Sequence, residues 1–299
     1  MQETTQLFSV LDRVFLTVSP LVVIVLIGFL YARKVDSDMS VANRVNMDIF
    51  LPALIFAVMS SKEFDISTYA TLAAGSFAMV IGSGLLIWPL CKTLGVAPKT
   101  FAPPMMFNNC GNLGLPLALL AFGDTGLAAF VAMFLVSNTL HFTLGKYLVN
   151  PNASFRNLLL NPIMLATVAG LIWSTFKIPV AEWAATPIAM LSEISIPLML
   201  FSLGVRMKSV DLSNWKVGIY GAIFSPLTGL MIAIPFALLM DLSNEFTAYI
   251  ILFSALPPAV LNFMFSERYN QDPQAVASIV LIGNIASLIF IPATLFFIL

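Results

Sequence analysis

The sequence is poor in charged residues. They make up 10% of the 299 positions, whereas a soluble domain carries roughly 25%. A chain with so little charge cannot cover a water-facing surface, which excludes an ordinary soluble globular protein. The formal net charge of −1 also argues against a nucleic-acid partner, because binding to phosphates requires an excess of basic residues.

Side chains that commonly carry out chemistry are scarce as well. The chain has one histidine, His141, and two cysteines, Cys91 and Cys110. Both cysteines lie in apolar stretches and are interpreted as small core residues rather than as a disulfide. A lone histidine without a cluster of cysteines or carboxylates is a poor metal site, and no H-E-x-x-H motif is present. We therefore expect no enzyme activity, no metal and no cofactor.

Long apolar runs dominate the remaining sequence. Hydrophobic residues account for 59% of the chain and the mean hydropathy is +0.95. Because a membrane helix needs about 20 mostly apolar residues, the sequence predicts an all-α polytopic membrane protein with ten transmembrane helices. The predicted spans lie near residues 11–31, 40–60, 68–91, 98–121, 125–148, 157–176, 184–205, 214–240, 245–267 and 272–298.

The basic residues are distributed unequally between the predicted loops. Eleven of the 14 lysines and arginines follow odd-numbered spans, and three lie on the opposite face. The positive-inside rule assigns the richer face to the cytoplasm. Both termini are then expected on the extracytoplasmic side of a bacterial inner membrane.

The two halves of the chain share landmarks in the same order. Pro20 and Gly28 are spaced like Pro162 and Gly170, and the Asp48–Pro52 interval matches Glu193–Pro197. Each half holds five predicted spans, so the copies must have opposite topology, as in many secondary transporters. We predict repeats at 1–149 and 157–299, joined by a short cytoplasmic connector at 150–156.

Proline and glycine interrupt the fourth and ninth spans. Turns are predicted at Gly114–Pro116 and at Pro257–Pro258, because proline lacks an amide donor and clashes with the preceding turn. Two half-helix N-termini near the membrane midplane would present free amides, which suit an anion. The candidate substrate-binding residues are Asn109, Asn112, Gly114, Pro116, Asn138, Pro257, Pro258 and Asn262, with His141 and Asn284 as accessory residues.

Two carboxylates lie within predicted spans at positions that match between the repeats. Asp48 and Glu193 each lie about a third of the way into a span, where an ionised group costs a few kcal/mol unless it is paired, hydrated or protonated. Either residue is a candidate carrier of a coupling proton. The alternatives are a structural hydrogen bond between the repeats and span boundaries that place both carboxylates at the lipid headgroups.

Three stretches carry a family resemblance that covers nearly the whole chain. They are Pro20–Leu21 with Asn43–Arg44 and Phe50–Pro52, Asn109 seven residues ahead of Pro116, and ALPPAVLNFMFSERYNQDP from Ala255 to Pro273. The chain resembles the auxin efflux carrier family of plant auxin exporters and bacterial carboxylate carriers. This resemblance implies a homodimer with a scaffold of helices 1, 2, 6 and 7 and a moving transport domain of helices 3–5 and 8–10.

The function expected from the residues and the resemblance is secondary active transport of a small organic anion by an elevator-type movement. Auxin-like compounds and dicarboxylates are the expected substrates, and a proton is one candidate coupling ion. A sodium-coupled carrier of the bile acid symporter type and an ion channel remain alternatives. The expected partners are the substrate, the lipid bilayer and a second copy of the chain.

Overall fold

The computed structural model describes residues 2–36, 38–61, 64, 66–151, 160–208 and 214–299. Most of the predicted connector 150–156, and the predicted start of the second repeat at 157, lie outside the described residues. Within the described ranges the chain is helical and forms no β-strand beyond one isolated bridge. The predicted all-α class is therefore confirmed for this part of the chain.

The helices follow one another with short connections. In chain order they are α1 (Gln2–Lys34), α2 (Ser40–Val45), α3 (Leu51–Met59), α4 (Ile66–Leu94), α5 (Pro98–Met106), α6 (Leu115–Leu140), α7 (Lys146–Val149), α8 (Pro162–Thr175), α9 (Glu182–Arg206), α10 (Trp215–Leu239), α11 (Asn244–Ser254), α12 (Val260–Arg268) and α13 (Pro273–Ile298). Wider π-helical turns occupy Asn46–Phe50, Cys110–Gly114 and His141–Gly145.

Seven helical segments of the described ranges are long and apolar enough to cross a membrane. They are Phe8–Lys34, Ser40–Met59, Ser67–Leu94, Cys110–Val149, Glu182–Arg206, Trp215–Leu239 and Pro273–Ile298. Large apolar side chains point outward from them, including Leu85, Trp183 and Leu239. Large apolar side chains exposed in this way are unfavourable in water and match a lipid environment. The protein is therefore an integral membrane protein.

The segment Cys110–Val149 is a special case because it contains 40 residues. A straight helix of that length would measure about 60 Å, roughly twice the hydrocarbon thickness of a bilayer. Gly123 interrupts it with φ of 69° and ψ of −155°, a conformation that glycine adopts far more easily than other residues. The segment is consequently two helical pieces that meet at Gly123.

The helices pack in two groups. In the first group, α1 packs along α9, and α3 packs against α8 and α9. In the second group, α4 contacts α5 and α6, while α10 contacts α13, α4, α5 and α11. We use the names first helix group for α1–α3, α8 and α9, and second helix group for α4–α7 and α10–α13.

Glycines allow α1 and α9 to approach closely. A Cβ atom built on Gly28 would overlap the carbonyl oxygen of Phe201, and one built on Gly204 would overlap the carbonyl oxygen of Val25. Small residues at such contacts are a common basis of helix association in membranes. The first helix group is therefore held by backbone-to-backbone contact that larger side chains would prevent.

Gly204→Ala should lower the free energy of unfolding by about 1 to 3 kcal/mol, because the added methyl group must push α1 away. The measurement is the thermal unfolding midpoint of the purified protein in detergent. Ala189 is exposed on the same helix, so Ala189→Leu should leave the midpoint unchanged. Equal midpoints for Gly204→Ala and the wild type would contradict the close approach of α1 and α9.

Candidate functional site

The chain leaves the helical conformation between α5 and the following π-helical turn. Helix α5 ends at Met106, and Phe107 is extended with φ of −114° and ψ of 100°. The amide of Phe107 still donates to the carbonyl of Pro103 at 2.9 Å, and helical structure resumes at Cys110. The first interruption therefore spans Phe107–Asn109.

A second interruption separates α11 from α12. Helix α11 ends at Ser254 and α12 begins at Val260. Pro257 and Pro258 lie between them, lack amide donors and disfavour helix in the residue that precedes each. The interruption predicted at these prolines is present.

The two interruptions contact each other through their backbones. The amide of Asn109 donates to the carbonyl of Pro257 at 2.6 Å, and the amide of Ala259 donates to the carbonyl of Phe107 at 2.9 Å. Asn108 and Pro258 face each other in the resulting antiparallel bridge. Backbone groups that would otherwise be unpaired in an apolar interior thus satisfy each other.

The predicted turn at Gly114–Pro116 is wrong. Gly114 belongs to a π-helical turn, and Pro116 lies in the first turn of α6, where its missing amide costs little. Both residues are buried and neither lines the cavity described below. Gly114 instead faces the other interruption, since a Cβ atom there would lie 2.8 Å from Cδ1 of Leu256.

Asn284 of α13 holds both interruptions from one side. Its Oδ1 accepts from Nδ2 of Asn109 at 3.0 Å, and its Nδ2 donates to the carbonyl of Pro258 at 3.1 Å. A third bond joins its Nδ2 to the carbonyl of Val280 at 2.7 Å. Asn284 is therefore a positioning residue for the crossing of the two interruptions.

Asn262 and His141 hold the crossing from the other side. Nδ2 of Asn262 donates to the carbonyls of Phe107 and Ala259, each at 3.0 Å. Its Oδ1 lies 3.0 Å from Nε2 of His141, whose ring stacks on Phe107 at 4.2 Å with an interplanar angle of 5°. Because Oδ1 can only accept, Nε2 of His141 carries the hydrogen, and Nδ1 of the neutral ring is an acceptor.

A cavity of about 630 Å³ lies beside the crossing. Its wall comes from four parts of the chain: α2 with its π-helical turn and the start of α3, the segments around both interruptions, the end of α6 with the π-helical turn that follows it, and the end of α9. The predicted site residues that line it are Asp48, Asn109, Asn112, Asn138 and His141. Pro257, Pro258, Asn262 and Asn284 lie behind this wall and shape it without lining it.

The two predicted coupling carboxylates do not share an environment. Asp48 lines the cavity and lies 3.6 Å from Arg44, with its side chain 51% exposed. Glu193 is exposed on α9 and does not line the cavity. The expectation of equivalent positions in the two repeats is therefore wrong for these side chains.

The sequence did not identify three arginines and two asparagines that line the cavity as candidate site residues. Arg44, Arg206 and Arg268 line it, as do Asn46 and Asn108. In the sequence analysis the three arginines were counted among the basic residues of one predicted membrane face, and Arg44 and Arg268 also lie in stretches that carry the family resemblance. Their shared position at span ends on the face predicted to be cytoplasmic was the available signal, because ends on one face can converge on one opening.

Comparisons with known proteins identify the relatives of this chain. A family model described as membrane transport protein matches residues 13–155 and 147–298. Auxin efflux carrier component 8 of Arabidopsis thaliana is 30% identical over 149 residues, which is 48% of this chain and 40% of that carrier. A candidate malonate transporter of Rhizobium meliloti is 24% identical over 94% of both chains. An uncharacterized transporter of Methanothermobacter thermautotrophicus is 28% identical over 92% of this chain and 95% of its own length.

Asn262→Ala should lower the free energy of unfolding by about 1 to 3 kcal/mol, because it leaves buried partners at the crossing unsatisfied. Chemical unfolding in detergent measures the change. Asn112 lines the cavity and is only half-buried, so Asn112→Ala should change stability by less than about 0.5 kcal/mol. An equal decrease in the free energy of unfolding in both variants would contradict the role of Asn262 in stabilising the crossing.

Proposed function

Because the chain belongs to the membrane transport protein family, which includes the auxin efflux carriers, we propose that it is a secondary active transporter of a small organic anion. The strongest support is the cavity that lies beside the two paired interruptions. Transport through the bilayer needs a polar binding site at membrane depth, and irregular backbone persists there only where protein or a water-filled cavity satisfies it.

The charge of the cavity favours an anion. Among the described residues that line it, Arg44, Arg206 and Arg268 are cationic and Asp48 is the one carboxylate. An excess of positive charge between low-dielectric walls raises the local concentration of anions. A carboxylate fits this charge and the hydrogen-bonding geometry of guanidinium groups.

Two helix N-termini add to this preference. Helical structure resumes at Cys110 after the first interruption and at Val260 after the second, and both residues line the cavity. The N-terminus of a helix presents unpaired amides and the positive end of its dipole. The transported anion is accordingly a carboxylate, either auxin-like or a dicarboxylate.

The helices are consistent with ten membrane spans in two inverted repeats. The first half supplies five spans: α1, the pair α2–α3, α4, α5 together with the piece of Cys110–Val149 before Gly123, and the piece after Gly123. The second half supplies α8, α9, α10, the pair α11–α12, and α13. Contacts recur between the halves: Asn109 of the first half bonds Asn284 of the second, and His141 of the first bonds Asn262 of the second.

The position of the cavity suits an elevator-type movement. The first helix group contributes residues such as Asn43, Asp48 and Arg206, and the second contributes Asn109 and Arg268. The cavity thus lies at the boundary between a scaffold, which corresponds to the first helix group, and a transport domain, which corresponds to the second. Sliding of one group along the other would carry a bound anion across the membrane.

Orientation and assembly complete the proposal. The rim arginines lie on the face that the positive-inside rule assigns to the cytoplasm, so the cavity opens to the cytoplasm of a cell with both termini outside. A homodimer, joined through the scaffold, follows from the family resemblance.

Malonate or indole-3-acetate should raise the thermal unfolding midpoint of the purified protein, because a ligand of the folded state stabilises it. Asn109→Ala should weaken binding at least about tenfold, the effect of losing one to two hydrogen bonds at a buried site. The control is Asn244→Ala, since Asn244 is exposed at the start of α11. Undiminished binding by a folded Asn109→Ala protein would refute the site.

Asp48→Asn should alter the pH dependence of uptake into proteoliposomes, because Asp48 is the carboxylate that faces the cavity. Glu193→Gln should reproduce the wild-type profile, because Glu193 lies outside it. Initial uptake rates from pH 5 to pH 8 compare the three proteins. Identical profiles for all three would exclude Asp48 as a carrier of the coupling proton.

A further inference from the structure

A second, much smaller cavity adjoins the crossing of the two interruptions. Its volume is about 10 Å³, roughly the space of one water-sized sphere. The residues that line it come from α4, α5, α10, α11 and the first interruption, so this small cavity lies entirely within the second helix group. Asn108 is the one described residue that lines both this cavity and the larger one.

Two helix C-termini meet at the small cavity. The last two residues of α5 and the last two residues of α11 line it. The carbonyls of a last helical turn lack amide partners within the helix and carry the negative end of the dipole, about half an elementary charge per helix. The larger cavity, in contrast, is lined by Cys110 and Val260, where helical structure resumes.

At the end of α11, the carbonyl of Ser254 lacks its usual donor. The residue four positions on is Pro258, which has no amide hydrogen, and no other described group donates to this carbonyl. Its oxygen lies beside α10, since a Cβ atom built on Gly229 would come within 2.5 Å of it. Gly229 and Ser254 both line the small cavity.

At the end of α5, the carbonyl of Met105 is in the same position. Its usual donor would be the amide of Asn109, which donates instead to the carbonyl of Pro257 at 2.6 Å. The pairing of the two interruptions therefore diverts a donor away from the end of α5. Met105 also lines the small cavity.

Two serine hydroxyls face the same space. Ser83 of α4 and Ser225 of α10 line the small cavity and are 2% and 4% exposed. Neither hydroxyl has a hydrogen-bond partner among the described residues, and neither is among the unpaired atoms that are fully enclosed. Because buried polar groups are nearly always paired, two unpaired hydroxyls that still have accessible surface in one small cavity point to an occupant.

We propose that this occupant is a sodium ion, held by the hydroxyls of Ser83 and Ser225 and by carbonyls at the ends of α5 and α11. Uncharged oxygen atoms are ligands that hard cations accept. In secondary transporters, half-helix C-termini and unwound carbonyls are a known way of holding a coupling ion. None of these ligands is a histidine, a cysteine or a carboxylate, so the sequence offered no metal-binding cluster to find.

Charge selects a monovalent cation. No described residue that lines the small cavity is charged, so the two helix ends provide the compensation, about one elementary charge together. A calcium or magnesium ion would keep its second charge uncompensated, and proteins bind these ions through carboxylates. A water molecule would fit the volume, but it would leave the negative potential of the two helix ends without a counter-charge.

Sodium and the anion would stabilise the same crossing from opposite helix ends. Each ligand favours the arrangement in which the two interruptions are paired, so sodium should raise the affinity for the anion, and the anion should raise the affinity for sodium by the same factor. This consequence rests on the proposed function and adds sodium to it as the coupling ion. Binding of sodium alone does not rest on it.

Thermal unfolding of the purified full-length chain in detergent tests the site. Sodium chloride replaces choline chloride at constant ionic strength, and potassium chloride is the matched salt control. Sodium should raise the unfolding midpoint in a saturable way by about 3 °C or more, because it binds the folded state. No shift with sodium, or an equal shift with potassium, would refute the site.

Serine variants locate the ion. Ser83→Ala and Ser225→Ala each remove a ligand without breaking a hydrogen bond, so their midpoints in choline should stay near that of the wild type. The sodium concentration that gives half of the shift should rise at least about tenfold in each. Ser195→Ala removes an unpaired buried hydroxyl that lines neither cavity and should respond like the wild type. An unchanged sodium response in both cavity variants would overturn the assignment, and the comparison of sodium with potassium in the wild type decides the question if a variant does not fold.

Isothermal titration with malonate and indole-3-acetate separates this inference from the proposed function. The anion that binds should do so several-fold more tightly in sodium than in choline, and Ser83→Ala should remove the difference. Equal affinities in both salts would contradict the role of sodium as coupling ion and leave the transporter proposal intact. Stabilisation by sodium without binding of either carboxylate would support the sodium site and count against the proposed function.

Discussion

The backbone pairing between the two interruptions is the constraint on which the remaining structure depends. An extended segment in the middle of a membrane protein exposes amides and carbonyls that lipid cannot satisfy. Here the amide of Asn109 bonds Pro257, and the amide of Ala259 bonds Phe107. Each interruption supplies the partners that the other lacks, so one interruption would be costly without its counterpart.

The asparagine side chains around this pairing complete the hydrogen bonding. Asn284 bonds the carbonyl of Pro258 on one side, and Asn262 bonds the carbonyls of Phe107 and Ala259 on the other. With the crossing satisfied in this way, the helices that resume at Cys110 and Val260 begin at the same cavity. Structural support and the proposed anion recognition therefore use different atoms of one crossing.

The sequence predicted the all-α membrane class, with seven spanning segments found among the described residues, and one interruption, because their causes are local. Apolar length determines the spans, and Pro257–Pro258 cannot continue a helix. The sequence predicted the first interruption at Gly114–Pro116, whereas the structure has it before Cys110. Proline is tolerated in the first turn of a helix, as Pro116 is here, so a proline alone does not locate a break. The sequence could not show that Asn262 and Asn284 bind backbone groups, since an asparagine side chain can form hydrogen bonds with a ligand or with the backbone.

Other features of the site depend on tertiary structure. Repeat symmetry predicted similar environments for Asp48 and Glu193, but the cavity opens beside only one of them. The arginines at positions 44, 206 and 268 are far apart in the chain and converge only after the helices pack. Their position at span ends on one predicted face allows that convergence, but it does not specify which span ends meet.

The two native cysteines permit the most direct test of an anion site at the crossing. Cys110 lines the cavity but is only 5% exposed, so its alkylation is expected to be slow, whereas Cys91 is fully buried in a separate apolar cluster. Site-resolved mass spectrometry measures their alkylation by N-ethylmaleimide with and without malonate or indole-3-acetate. The account predicts that the anion which raises thermal stability slows alkylation of Cys110 several-fold and leaves Cys91 unchanged. A stabilising anion that leaves the alkylation rate of Cys110 unaltered would contradict it.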